Sequence, residues 1–546
     1  MIRASLAALL VLAIVPAAHA EDKVVLDFTE SFFADWHWTL DDPPLTDGKA
    51  EDVIDFRNRL NVRLRYGHWN FGVRLDAALF PSPPVPTSGA SQYQNDLRPE
   101  EMFVSYEDGP WKLTLGDDYL TVGRGMALSL RKFDEIGFAT SLRGAHLEYR
   151  GSPVRLRLGV GLTNTVNVDL VEEKLVPDPN DAVAFVRAEW SATKQLRVGA
   201  HLVDIERRAS DIRNGLIGWA DDGSAFVQNS KELRSTIGGV SVAANGLGGF
   251  LDLYGEADYL VNDDERETLT GSEPSGKNGS ALYLSASANA GATNVLLEGK
   301  RYENYVIASS KHPDTVDETA ITQTFPYIQP PTLERIDQRV VNNHDVTGVH
   351  LRVDHGFAKT DQGDRHSLFA SAAFFVDAPA EDEWTFHGYV GWERIGAGGR
   401  RMQVQLGLRQ EEAPDEDIIR LRMVHFDLDW FEVITAGVDV QLHWTHEFRD
   451  EGIGAPTLRD GYQEGTFYVS VNLPPHWSVT GQVEYLTSED NAHPTFPGAF
   501  LQYKLDTDSF VRIFVGRSKG GLKCSGGICR IFPDFDGVKL EATLRF

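Results

Sequence analysis

The chain has 546 residues, with 52 Lys and Arg against 80 Asp and Glu, a net charge of −28 and two cysteines. So acidic a chain is excluded from nucleic-acid binding, which asks for a basic face. No run of 18 apolar residues follows the N-terminal region, so spanning helices are excluded, while 50 glycines and 10% aromatics suit many strands and turns.

At the N-terminus, Arg3, the apolar run Leu6–Val15 and Ala18-His19-Ala20 have the form of a secretory signal peptide. The run is shorter than the roughly 20 residues of a spanning helix. No cysteine stands at the cleavage point, which argues against a lipid-anchored protein. The predicted division is 1–20 as signal peptide and 21–546 as one domain, since no linker or shift in composition interrupts the rest.

Alternation with a period of two then runs along the chain. A first strand is expected near Val24–Trp36. Phe71, Val73, Leu75, Ala77 and Leu79 oppose Gly72, Arg74, Asp76 and Ala78. Val154, Leu156, Leu158, Val160 and Leu162 oppose Arg155, Arg157, Gly159 and Gly161. Met402, Val404, Leu406 and Leu408 oppose Arg401, Gln403, Gln405 and Arg409. Ile434 to Trp444 alternates in the same way, and so does Val538 to Phe546. Successive strand side chains point to opposite faces, so one face suits lipid and the other water. The lengths match membrane strands of roughly 9–11 residues. A soluble β-sandwich also alternates, but so many long regular strands are unusual for it. Trp69, Phe71, Trp111, Trp430, Phe431, Trp444 and Trp477 fall near strand ends, as interfacial girdles do.

Short turns are expected at Tyr66–Asn70, Asp108–Trp111, Arg150–Val154, Ser191–Gln195, Asn245–Gly249, Ala290–Thr293, Phe357–Asp364, Gly396–Arg400, Leu428–Glu432, Asn472–His476 and Asp506–Ser509. Longer connections alternate with them, among them Pro81–Pro99, Tyr119–Thr140, Asn164–Asp181, Arg207–Arg234, Asn262–Asn278 and Ala308–His344. Barrels pair short periplasmic turns with long extracellular loops. The predicted fold is therefore all-β: one transmembrane antiparallel barrel of about 24 strands (22–26 allowing for boundary errors), with both termini periplasmic. The predicted location is the outer membrane of a diderm bacterium.

The water-facing positions carry Arg57, Arg59, Arg63, Arg65, Arg74, Arg155, Arg157, Arg401 and Arg409, the candidate pore-lining residues. They could form an electrostatic filter for anions or the solvated Arg–carboxylate ladders of a barrel interior. The acidic excess favours the ladders.

One stretch is less regular: Gly116-Asp117-Asp118-Tyr119, then Gly123-Arg124-Gly125, running on to Arg143-Gly144. The glycines allow a sharp turn, but no Lys-Ser/Thr follows, so a nucleotide loop is rejected. The stretch resembles a block of about 30 residues in a group of uncharacterised bacterial outer-membrane barrel proteins. The resemblance implies fold and location and no activity. An inward-folded constriction loop, with Arg124, Arg131, Lys132, Asp134 and Glu135 facing the pore, is one reading; an outer loop or a continued strand is the other. The terminal Phe546 likewise resembles the insertion signal read by the barrel-assembly machinery.

No enzyme is expected. His350 and His355 alternate with Arg352 and Asp354, but there is no HExxH, CxxC or CxxCH spacing, and no metal or cofactor is predicted. Acidic groups such as Asp263-Asp264-Glu265 and Glu411-Glu412 with Asp415-Glu416-Asp417 read as solvated loops, or as Ca²⁺ bridges to lipopolysaccharide. Cys524 and Cys529, in the last long loop, are expected to form a disulfide in an oxidising compartment. Three functions fit: a porin-like channel for ions or small solutes; a sheath around a partner such as a multihaem cytochrome; a structural or adhesive barrel. The expected partners are membrane lipid, lipopolysaccharide, the assembly machinery and, for the sheath, an enclosed protein. An absent plug of about 150 residues argues against a TonB-dependent receptor, and an absent leading domain against an usher.

Overall fold

A computed structural model describes residues 24–41, 49–84, 93–133, 136–171, 173–176, 178–207, 216–219, 225–228, 233–263, 265–268, 271–274, 278–305, 307, 327–333, 346–357, 359–360, 363–377, 384–413, 418–453, 461–488, 493–525 and 528–546. The expected signal peptide lies outside the described residues, as do Asp134, Glu135, Asp264 and Asp415–Asp417.

One sheet of 25 strands dominates; the two-residue piece Lys132–Phe133 pairs only with Phe138–Arg150, which leaves 24 in the ring. In chain order these are β1 Val25–Asp41, β2 Lys49–Tyr66, β3 Trp69–Ser82, β4 Asp96–Asp108, β5 Trp111–Asp118, β6 Phe138–Arg150, β7 Val154–Thr165 and β8 Ala182–Ser191. There follow β9 Leu196–Arg207, β10 Leu233–Leu247, β11 Leu251–Asp263, β12 Gly279–Ala290, β13 Thr293–Glu303, β14 Val346–Gly356, β15 Arg365–Asp377 and β16 Trp384–Ile395. The ring ends with β17 Arg401–Ala413, β18 Ile418–Thr435, β19 Val438–Ile453, β20 Tyr462–Leu473, β21 Trp477–Leu486, β22 Thr495–Lys504, β23 Phe510–Ser518 and β24 Phe535–Arg545.

Each strand pairs antiparallel with its neighbours. The ring closes where β1 meets β24, from Thr29 opposite Arg545 to His37 opposite Gly537. Phe546 extends this seam: its N–H donates to the Phe28 carbonyl at 2.9 Å, and the Phe28 N–H donates back at 3.1 Å. Closure leaves no unpaired sheet edge, the condition for a sheet to stand in lipid. The start of β1 and the end of β24 lie at the rim that carries the short turns.

The outward face is apolar and bare: Val160 is 59% exposed, Val390 58% and Leu297 52%. A ring of such residues has no place in water and fits the hydrocarbon of a bilayer. Aromatic pairs mark the short-turn rim, with Trp69 over Tyr106 at 4.8 Å, Trp111 over Tyr149 at 4.6 Å and Trp477 over Tyr503 at 4.7 Å between ring centres. This is the architecture of an integral outer-membrane β-barrel.

One turn differs from expectation. The chain does not reverse at Leu428–Glu432, and Ile434–Trp444 is not one strand; β18 runs to Thr435 and the turn is Ala436-Gly437. Gly437 supplies the turn, its N–H donating to Thr435 Oγ1 at 3.3 Å. A bulge between Val433 and Thr435 keeps even-numbered residues outward on both strands, so alternation runs unbroken across the turn and conceals it.

Candidate functional site: the lumen and its inserted hairpin

Where β5 ends, the chain leaves the wall and enters the barrel. Gly116 makes the bend at φ 101°, and a side chain there would meet the Met102 carbonyl. The departure leaves polar groups of the wall without sheet partners, and Asp117 meets them. It accepts from the Met102 N–H at 2.7 Å, from Ser141 Oγ at 2.9 Å, from Arg143 Nε at 3.1 Å and from Asn164 Nδ2 at 2.9 Å. Arg143 and Asn164 in turn donate to the Glu100 carbonyl at 2.7 and 2.8 Å. Tyr119 donates to Glu101 at 2.6 Å, and burial together with that carboxylate pushes its phenol up.

Residues 120–130 then form a small hairpin, Leu120–Val122 paired with Leu128–Leu130. Its tip is Gly123-Arg124-Gly125-Met126-Ala127, with Gly123 and Gly125 at φ 66° and 89°. Val122, Met126, Ala127, Leu128 and Leu130 are wholly buried. They pack on inward side chains of eight consecutive strands, β8 to β15, among them Phe185, Ile205, Ile237, Leu260, Tyr302 and Phe375. A second inserted piece, 327–333, lies against the hairpin. Ser129 N–H donates to the Tyr327 carbonyl at 2.8 Å, Gln329 N–H to the Gly125 carbonyl at 2.7 Å, and Ser129 Oγ to Gln329 Oε1 at 2.6 Å. The hairpin thus folds inward, while Asp134 and Glu135, which the inward-folded reading also set facing the pore, lie outside the described residues.

Arg124 lies at the hairpin tip, its guanidinium 4.1 Å from the centre of the Tyr254 ring and 5.6 Å from that of Tyr283. Its backbone N–H donates to Glu256 Oε2 at 2.9 Å. Beneath it runs a buried polar chain. Tyr254 donates to Glu256, Tyr283 donates to Glu298 at 2.5 Å, and His350 lies between Glu298 and Ser371, 2.8 Å from each. Arg131 donates to Thr121 at 3.0 Å, and Lys132 is exposed.

A third piece, 166–171 with 173–176, covers the inner face of β1 to β3. Val168 and Leu175 pack on Ala78, Phe80 and Tyr93, and Arg57 donates to the Leu170 carbonyl at 2.7 Å. Glu173 meets His37, Arg57 and Lys539. Burial alone would raise this carboxyl, but Lys539, His37 and Arg57 hold it well below the usual range.

The arginines singled out by alternation lie on the inner face, most of them beside carboxylates. Arg57 pairs with Asp35 and Asp55, Arg59 with Asp76 at 3.4 Å, Arg74 with Asp76 and with Glu101 at 2.7 Å, and Arg65 with Asp27 at 3.0 Å. Arg401 pairs with Glu393 at 3.0 Å and Arg409 with Glu411 at 2.6 Å. Arg63 stands over the Phe103 ring at 5.9 Å. Arg155 is opposite Glu189, and Arg157 lies between Glu148 and Arg187 in the register. Arg57, Arg74 and Arg409 are buried, whereas the Arg401 side chain is 55% exposed.

From β16 to β20 the inner face is charged. His387 and His425 stand 3.2 Å apart, Arg449 meets Glu447 and Glu464, and Lys519 meets Glu464. Toward the short-turn rim a polar cavity of about 440 Å³ opens, lined by Arg352, Asp354, Tyr389, Glu393, Arg401 and Gln405 among others.

The model of the family described as "Family of unknown function (DUF6029)" matches residues 1–333 and 456–546. The chain belongs to this family. The matched blocks hold all three inserted pieces, while β14 to β19 fall between them. No curated protein matches the chain. Among solved structures, OccK3 (OpdO) of Pseudomonas aeruginosa is similar at 13% identity and a TM-score of 0.38, over 72% of this chain and 91% of that one. A BenF-like porin from Pseudomonas fluorescens Pf-5 is similar at 10% identity and 0.37, over 72% and 94%. The P pilus usher (PapC) translocation pore is similar at 9% identity and 0.42, over 96% and 99%. The fold assignment rests on the strand pairing itself.

Proposed function

We propose that this barrel is a porin-like channel for small polar or charged solutes across the outer membrane, narrowed toward its long-loop end by its own inserted pieces. The observation that supports it is the placement of the 120–130 hairpin on an apolar sector of the inner wall, beside a charged one. A wall facing water would not carry Val203, Ile205, Ile237 and Phe375, and the hairpin accounts for them. The solute path then follows the charged sector of β16 to β20 into the polar cavity beside Arg401. In this orientation the short turns and both chain ends are periplasmic, as in other transmembrane barrels. The inserted pieces occupy space that an enclosed partner would need, which weighs against a sheath.

Planar-bilayer recording tests the reading. The full chain should give discrete conductance steps, and a variant with residues 120–130 replaced by a short Gly-Ser link should give larger ones. Silence from both proteins, each folded by heat-modifiable gel mobility, would remove the channel reading.

A further inference from the structure

Three inward side chains, His201, Glu256 and Asp258, converge beneath the hairpin tip. His201 of β9, Gly239 of β10 and Asp258 of β11 stand directly opposite one another across three adjacent strands. Neighbouring strands are about 4.8 Å apart, so His201 and Asp258 are separated by two spacings. They meet because the strand between them carries no side chain at Gly239; a Cβ there would collide with Asp258 Oδ1 and His201 Nε2. Glu256, two residues before Asp258, shares its face. A Cβ at Gly123 of the hairpin tip would collide with Glu256 Oε1. Two bare glycines thus enclose one small space.

The donor atoms facing that space are unsatisfied. One ligand atom from each of His201, Glu256 and Asp258 lies within 4.8 Å of the others. His201 Nδ1 and Nε2, Glu256 Oε1 and Asp258 Oδ1 have no hydrogen-bond partner, although the His201 and Asp258 side chains are fully buried and Glu256 is 1% exposed. His201 Nε2 stands 3.0 Å from Asp258 Oδ1 without the geometry of a hydrogen bond. Two buried carboxylates beside an imidazole, each with an oxygen that no hydrogen bond satisfies, are costly unless a cation joins them. The second oxygens are already engaged: Glu256 Oε2 accepts from Arg124 N–H and Tyr254, and Asp258 Oδ2 accepts from Tyr305 at 3.3 Å. Arg187 pairs with Glu189 at 2.7 Å and Arg124 lies over Tyr254. A comparable triad, His37, Asp55 and Glu173, is served instead by Arg57 and Lys539.

We propose that His201, Glu256 and Asp258 form a binding site for one divalent transition-metal ion. One imidazole and two carboxylates at about 2 Å from the ion are zinc-type donors, and three protein ligands leave a fourth position open. Imidazole selects against Mg²⁺ and Ca²⁺, which prefer oxygen ligands. Because Glu256 bridges the ion and the Arg124 N–H, the ion also fixes the hairpin tip to the wall.

The site stands whether or not the barrel conducts, and its test needs no transport. The full chain, folded in detergent and stripped with a chelator, is titrated with Zn²⁺ by calorimetry and with Co²⁺ by visible absorption. One equivalent should bind. His201→Ala and Asp258→Asn should each weaken binding by on the order of tenfold or more. Gly239→Ala, which keeps all three ligands but fills their space, should do the same, while His37→Ala should not. Heat-modifiable mobility establishes that every variant is folded. No binding by the parent protein, undiminished binding by folded His201→Ala, or equal binding of Mg²⁺ would each overturn the assignment.

Discussion

Around the circumference the outer wall of this barrel is uniform and the inner wall is not. From β8 to β15 the inward residues near the long-loop end include Val203, Ile205, Ile237, Leu260, Tyr302 and Phe375, all buried; from β16 to β20 Leu421, Met423 and Tyr462 stand among His387, His425 and the ion pairs of Arg409 and Arg449 with glutamates. Both sectors face lipid with the same kind of apolar side chain. Lipid sets the outer face everywhere, whereas the inner face answers to whatever lies against it. One sector lies against the chain's own hairpin and behaves as a protein core; the other keeps the ion-pair chemistry of a lumen wall.

The largest test of this contrast is a charge within the packed sector. Leu128→Asp buries a carboxylate among aliphatic groups without a partner, at a cost of several kcal/mol. The hairpin should leave the wall, which limited proteolysis near Arg131 and a rise in single-channel conductance would record. Unchanged protection and conductance would show that the sector is not a packed core.

Asp117→Ala comes next. It leaves the Met102 N–H and Ser141 without their acceptor and takes one of two from Asn164, and unmade buried hydrogen bonds cost about 1–3 kcal/mol each. The urea midpoint of unfolding, followed by gel mobility, should fall, while the apolar outer face is untouched. A midpoint equal to the parent's would mean that the gap where β5 leaves the wall is closed by other means.

Gly125→Ala strains the hairpin tip through its φ of 89° and an added Cβ 2.7 Å from the Gln329 carbonyl. The cost is about 1–3 kcal/mol, enough to raise the noise of the open channel without unfolding the barrel. A quiet trace with parent conductance would deny the tip a part in narrowing the lumen.

On the charged side, Arg401→Ala should cost under about 1 kcal/mol, because its pair with Glu393 is exposed. Reversal potentials in a salt gradient should nonetheless shift toward cations. No shift would place the solute path elsewhere.

The smallest effect belongs to a connection outside both sectors. The hairpin Gly521–Ser525 with Ile528–Phe532 forms a two-stranded sheet and sets Cys524 opposite Cys529. That register fits a disulfide's backbone spacing, and the expected bond closes so small a loop that Cys524→Ser should leave barrel stability unchanged. Mass mapping of unreduced peptides decides whether the bond forms.

The sequence alone carried the barrel. Alternation depends only on lipid outside and water or protein inside, and turn residues such as Gly109-Pro110 punctuate it, so strand number and most hairpins were legible from local pattern. It failed at Ala436-Gly437, where a bulge preserved the phase of the alternation. Gly116, Gly123 and Gly125 marked the chain's departure from regular structure but left its direction open, inward or outward. Parity also placed the arginines on the inner face without naming their partners.

Tertiary structure decided what the inner face meets. That Val203 and Phe375 line a packed core, although they share parity with lumen residues, follows from a hairpin more than 70 residues away in the chain. His201 and Asp258 become neighbours only when β9, β10 and β11 pair in register, with a glycine between them. Period two reports which side of a sheet a residue faces. Which strands stand beside it, and what folds back against it, are set by closure of the ring and by packing across its interior, and neither leaves a local mark in the chain.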